Sequence, residues 1–484
     1  MTNDVRPFWL AGRPTLGGPG STTFDVRHPH DDSYVATVAV PTAAQVEEAV
    51  TALAAAAPMA ARLTLAQRAD ALMHLSTRLV ERAEEVARLI TAENGKPIRW
   101  ARIEAARAAS VFRWAAEETR RWSGDLQRLD TEASAAGRLA MVRRVPRGPV
   151  LAIAPFNFPL NLVAHKVAPA IAVGAPVLVK PAPATPLSAL LLGELLAETD
   201  LPADMWSVLP VPNDAMPALV QDPRLPVISF TGSAPVGYAI QDSVPRKHVV
   251  LELGGNAAAV VLGDYDSDAD VAHAASRIAT FANYQAGQSC ISVQRVLVDR
   301  PLYERVVDAV VEQVNAQVSG SPWDPSTDVG PMVDEAAAIR VESWVDEAVA
   351  AGAQVLAGGK RDGAHYAPTV LVDVPSDARV VREEVFGPVL VISPVDGADA
   401  AVAQVNDSRY GLQAGVFTHD VQVAFRMHRD LDVGGVVVGD VPTFRSDQMP
   451  YGGVKESGVG REGVRYAMTD LTTERVLVLT GLDL

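Results

Sequence analysis

The chain has 484 residues, 48% hydrophobic and 21% charged, with a formal net charge of −16. That length favours two or three domains over a single core, and the composition is that of a soluble globular protein. The acidic balance, with no basic block against it, excludes a nucleic-acid partner from the expectations.

Residues 1–14 carry no continuous apolar core of an export signal. The charge-free stretch 148–165 is broken by Pro149, Pro155 and Pro159 and makes a poor membrane span. With one cysteine, the expected compartment is the cytoplasm. Residues 43–57, 62–93 and about 98–122 place apolar side chains such as Leu72, Leu75, Leu79 and Val86 at helical spacing, which predicts three helices. Residues 138–145 read as a strand with charged flanks. The period then changes: 150–154, 177–179, 207–211, 227–230 and 249–251 are short apolar runs, with helical segments such as 187–198 between them. A second series follows at 258–262, a helix ending near Tyr284, 293–298, a helix over 301–318, and 389–393, with 473–479 returning as a strand. This alternation predicts the α/β class, with two doubly wound parallel-sheet domains.

Cys290 is the only cysteine, in the polar segment Gly287-Gln288-Ser289-Cys290, so no internal disulfide forms. Alone it reads as a small buried apolar group; the groups that accompany it point to thiol chemistry. Glu252 ends the apolar run 249–251, where burial raises a carboxylate's pKa and suits it to accept a proton near neutrality. Gly254 and Gly255 behind it allow a close approach. Asn157, in Phe156-Asn157-Phe158-Pro159, lies just past a strand end, where an amide donates to a developing oxyanion or stabilises a turn. Lys180 ends the next strand. Thr231-Gly232-Ser233-Ala234-Pro235-Val236-Gly237 joins a strand to a helix and presents backbone N–H groups to an anion. Gly458-Val459-Gly460-Arg461-Glu462-Gly463 matches a dinucleotide fingerprint literally, but no βαβ unit follows it, and it is discounted as such a site. The nine histidines show no ligand spacing, and no metal is expected.

Together these segments resemble the aldehyde dehydrogenase superfamily over nearly the whole chain. Glu-Leu-Gly-Gly at 252–255, Glu-Glu-Val-Phe-Gly-Pro at 383–388 and Pro-Tyr-Gly-Gly-Val-Lys-Glu-Ser-Gly at 450–458 complete the set. The resemblance implies a Rossmann-like cofactor domain (1–123 and 146–254), a catalytic domain (255–438) and a C-terminal active-site loop (439–464). It also implies a small oligomerisation β-element (124–145 and 465–484) and a homodimer or homotetramer. Cys290 is implied as nucleophile, with a lowered pKa, Glu252 as general base and Asn157 as oxyanion donor. NAD or NADP is implied at Lys180, Pro183, Gly232, Ser233, Gly237, Leu253, Glu384 and Phe386. Pro183 stands where many NAD-preferring relatives carry a glutamate, so NADP is expected to be tolerated. Gly439 stands where relatives often carry Asn. Segments 111–118 and 442–447 resemble relatives acting on small anionic aldehydes, which makes Arg113 and Arg445 candidates for the substrate's tail. Arg113 as a helix-surface charge and Arg445 as a loop charge are the alternatives. Two other functions remain open: a CoA-acylating semialdehyde dehydrogenase, against which Glu252 argues, and a catalytically silent scaffold.

Overall fold

The computed structural model describes residues 5–483. Four runs buried at all but one terminal residue at most, Val150–Ile153, Val177–Lys180, Val227–Thr231 and His248–Glu252, form the centre of an eight-stranded sheet and pair in parallel. Such runs are apolar on both faces because helices cover both sides, and each fully buried Val, Leu or Ile contributes about 1.5–3 kcal/mol. From Val150–Ile153 the chain moves outward through Val177–Lys180 to Trp206–Val208, then returns to place Val227–Thr231 on the other side of the first strand. The strand order therefore reverses between Val150–Ile153 and Val227–Thr231, the place where open α/β sheets bind ligands beyond their carboxyl ends.

Seven strands make the second sheet, in the order Gln354–Ala357, Thr369–Val372, Val389–Val395, Arg295–Asp299, Ala258–Val261, Gln413–Phe417, Gly435–Val438. Only its first pair is antiparallel. A three-stranded antiparallel sheet joins Asp125–Arg128, Leu139–Pro146 and Thr472–Leu479. The α/β class with two parallel-sheet units is thus the observed one.

Several elements differ from the sequence reading. The stretch 62–93 is two helices, Leu65–Glu81 and Ala83–Asn94, parted at Arg82, whose guanidinium ties Glu85 and Glu194. The start of the chain is not only helical: Phe8–Leu10, Arg13–Thr15, Thr23–Arg27 and Tyr34–Ala39 are strands. The literal fingerprint begins as the edge strand Gly458–Val459, antiparallel to Leu251–Glu252, and is no phosphate loop. Among the described residues no helix is long and apolar enough to cross a membrane.

Candidate active site

A cleft of about 950 Å³ opens where the first sheet reverses its order. It is lined by Asn157, Lys180, Pro183, Gly232, Ser233, Glu252, Leu253, Cys290, Glu384 and Phe386, ten residues singled out from the sequence. Gly237 is not among them. It lies one turn into the helix Ala234–Ser243, where a Cβ would come within 2.5 Å of a Leu253 methyl, so its role is close packing.

The cleft fits a dinucleotide in size and chemistry. Ser233 caps the helix Ala234–Ser243 without a side-chain hydrogen bond, leaving first-turn N–H groups for an anion. The neighbouring Thr231 hydroxyl is buried and bonds to no protein group. At one end, Lys180 donates to the Asn213 side chain at 2.7 Å, and burial pulls its pKa down to about 8. At the other, the Glu384 carboxylate accepts from the Gly255 N–H at 3.0 Å, and burial lifts it to about 7.

Cys290 follows a strained turn. Gln285 and Ala286 hold positive φ angles of 56° and 52°, a conformation costing non-glycine residues about 1–3 kcal/mol each. Side chains hold the turn: Gln285 donates to Asn94, Gln288 donates to the Gln285 carbonyl at 3.0 Å, and its side-chain oxygen accepts from Val333 N–H at 2.9 Å. The Asn157 amide donates to the Gln288 carbonyl at 2.9 Å, tying the Pro-rich loop to the cysteine segment and leaving one N–H free. That loop rests on a fully buried pair: Lys96 bonds Glu104 and the Asn157 carbonyl, while Glu104 accepts from Leu160 and Asn161 N–H.

The expected lowering of the Cys290 pKa is not what the site produces by itself. Burial pushes the thiol up to about 12, against a hydrogen bond with the Tyr451 hydroxyl at 2.9 Å. Glu252 is also buried, no protein donor reaches either of its oxygens, and burial followed by the nearby Glu462 raises its pKa well above normal.

Behind Glu252 and Tyr451 lies a cluster of charges the motifs did not reveal. Arg445 pairs with Glu462 at 2.9 Å and stacks 3.8 Å from the Tyr451 ring centre. Lys166 approaches Glu462 at 3.6 Å; Asp447 pairs with His165 at 3.2 Å and Arg107 at 2.8 Å. Burial pushes Glu462 up, but Arg445, Lys166 and His165 outweigh it and bring it down to about 2. Arg445 is therefore a buried, paired residue beside the site. Arg113 is not: its side chain is 51% exposed and pairs with Glu117 at 3.8 Å. Six residues separate it from Arg107 on one helix, which turns it roughly 120° away. Gly439 has φ of +77°, a conformation that Asn tolerates next best, and nothing lies within 4 Å of its would-be Cβ.

Residues 18–477 match the model of the aldehyde dehydrogenase family. The 3-sulfolactaldehyde dehydrogenase of Priestia aryabhattai is 45% identical over 365 residues, 75% of this chain and 76% of that protein. Aldehyde dehydrogenase 21 from Physcomitrella patens, solved with the reaction product succinate, is 41% identical, with a TM-score of 0.96 over 100% of both chains. The NADP-dependent glyceraldehyde-3-phosphate dehydrogenase from Bacillus halodurans C-125, solved with NADP, is 33% identical, with a TM-score of 0.94 over 99% of both. The chain belongs to the aldehyde dehydrogenase family. It is an NAD(P)-dependent enzyme that oxidises aldehydes.

Proposed function

We propose that the enzyme oxidises a small aldehyde with an anionic tail to the acid, through a thioester on Cys290 that water hydrolyses. The observation that carries the chemistry is the pairing, in one cleft, of the sole thiol with a buried, unpartnered carboxylate. The Cys290 thiolate adds to the aldehyde carbon, and the oxyanion takes the free Asn157 N–H and the Cys290 backbone N–H. The bound nicotinamide supplies the hydride acceptor. Glu252 then takes a proton from water, the hydroxyl attacks the thioester carbon, and the sulfur leaves as thiolate. An acceptor with a raised pKa suits this step, and its presence disfavours transfer to CoA. Lys180, Pro183, Gly232 and Ser233 hold the adenosine and phosphate part, and Leu253, Glu384 and Phe386 the nicotinamide part.

The tail reading moves from Arg113 to Arg107, with His165 and Arg445 beside it. Arg107, Arg445 and Lys166 face Asp447 and Glu462. The Arg445 Nε–H is buried with no partner. A carboxylate or sulfonate supplies the missing acceptor. The sulfonated and succinate ligands in the names of the two relatives above agree with this class.

The eight-stranded sheet serves as the cofactor domain and the seven-stranded sheet as the catalytic one. The exposed apolar row Leu477, Met141 and Leu126, in register across the three strands, with exposed Val476 and Val478 on the opposite face, suits a second copy of the chain, giving a homodimer or homotetramer. An aldehyde panel with carboxylate, sulfonate, phosphate and neutral tails, assayed with NAD and NADP, tests the function. Carboxylate or sulfonate aldehydes should give the highest kcat/KM; equal efficiency with neutral aldehydes of the same length refutes the tail reading.

A further inference from the structure

We propose that the Tyr451 hydroxyl is a catalytic donor to the nucleophile: it hydrogen-bonds the Cys290 sulfur and holds the thiolate's charge both before attack and when the sulfur departs from the thioester. The inference rests on the reading of Cys290 as nucleophile.

The geometry is direct, with 2.9 Å between the phenol oxygen and Sγ. Tyr451 is 3% exposed and cannot swing away. Its backbone exchanges hydrogen bonds with Glu462 at 3.0 and 2.7 Å. Ile291 and Leu412 pack around the same contact, and the Arg445 guanidinium carbon sits 3.8 Å from the ring centre. The charged and titratable groups facing the sulfur are Tyr451, Glu384, Arg445 and Glu252. Of these the two carboxylates oppose a thiolate, and Arg445 favours it without bonding to it. The phenol is the one that touches the sulfur.

Chemistry fixes the direction of the bond. While the sulfur carries its proton, either group can donate. Once that proton has gone, only the phenol O–H can. Burial pushes the phenol's pKa well above its ordinary value, so Tyr451 keeps its proton across the neutral range and is always ready to donate. No bond of the phenol breaks. As sulfur adds to the aldehyde carbon its charge moves to the oxygen and the hydrogen bond weakens; on hydrolysis the charge returns to sulfur and the bond tightens. A donor to an ionised acceptor is about twice as strong as a neutral one, which is the difference between the charged and the neutral sulfur.

The test is the pH profile of iodoacetamide labelling, read by mass at the only cysteine, in the parent and in Tyr451→Phe. The labelling midpoint should rise by about one to two pH units in the variant. Labelling at neutral pH should slow by about ten- to a hundredfold and converge with the parent at the alkaline end. kcat should fall more than KM changes, while dinucleotide binding and thermal midpoint stay at the parent's values. Global replacement of tyrosine by 3-fluorotyrosine, a stronger donor, should move the midpoint down in the parent and leave it unmoved in Tyr451→Phe. An identical profile in Tyr451→Phe overturns the inference, as does a uniform slowing at every pH, which marks a packing role. If Cys290 of the parent resists labelling throughout, the nucleophile reading fails and takes the inference with it.

Discussion

The two sides of the proposed active site, one for cofactor and one for the substrate's tail, are built by different means. The cofactor side is made of strand ends and the turns that follow them: Lys180 after Val177–Lys180, Gly232 and Ser233 after Val227–Thr231, and Leu253 after His248–Glu252. Each contribution comes from a few consecutive residues, and much of it is backbone. The proposed tail side is made of charged side chains from three distant places: the half-buried Arg107 on the helix Ile98–Arg121, the buried His165 and Lys166 on the helix Asn161–Val173, and the buried Arg445, Asp447 and Glu462 near the C-terminus. Phosphate chemistry common to all dinucleotides needs only a turn and a helix start. Recognition of one substrate tail needs a desolvated charge pattern, and that pattern forms only once the chain has folded.

Substitutions at the junction of the two sides should be the most damaging. Cys290→Ser removes the thiolate and should lower turnover at least about a thousandfold, with dinucleotide affinity retained. Residual turnover near the parent's would remove Cys290 from the reaction.

Glu252→Gln should preserve a rapid burst of reduced cofactor and slow the following phase by about 10²–10⁴-fold. The pH dependence has a definite sign. Burial raises the Glu252 pKa, so the carboxylate is protonated and inactive as a base below that value, and hydrolysis should accelerate as pH rises through it. Rapid-quench measurement of the second phase against pH checks this; a rate that falls as pH rises contradicts it.

On the tail side, Arg107→Leu should raise KM for anionic aldehydes with a loss of about 1.5–3 kcal/mol and spare neutral ones. Arg107 is the better probe than Arg445, because deleting Arg445 strips the buried Glu462 of its nearest partner and endangers the fold. Arg113→Leu should change neither substrate class, since its side chain pairs on the helix surface.

The smallest effect belongs to the cofactor side. Pro183 is exposed, so a carboxylate introduced by Pro183→Glu acts through solvent. It should shift the ratio of NAD to NADP efficiency toward NAD by about 1 kcal/mol. A ratio that does not rise places the adenosine ribose away from Pro183.

The same contrast explains what was legible in the sequence. Apolar runs such as 150–154 and 227–230 declare parallel strands because both faces are buried, and the turn at Gly232 declares itself by following one of them. Short strands such as Phe8–Leu10 carry too few residues for a period, and the break at Arg82 falls on a good helix former that gives no sign of it in the sequence. Helical phase decides which of two nearby arginines faces inward: Arg107 turns toward Asp447, while Arg113 stays on the surface beside Glu117. Lys166 did leave a signal: a lysine and a histidine inside the wholly buried helix Asn161–Val173 are expensive unless partners await them. Glu462 sat in the segment discounted as a fingerprint, where its value as a buried carboxylate was hidden.

The most direct test of the central claim is the intact mass of Glu252→Gln after a single turnover with an anionic aldehyde and cofactor. Because the chain has one cysteine, an acyl adduct formed on sulfur has one place to be. The account predicts a stable acyl-enzyme that peptide mapping assigns to Cys290. An unmodified chain alongside reduced cofactor, or an adduct on any other residue, contradicts it.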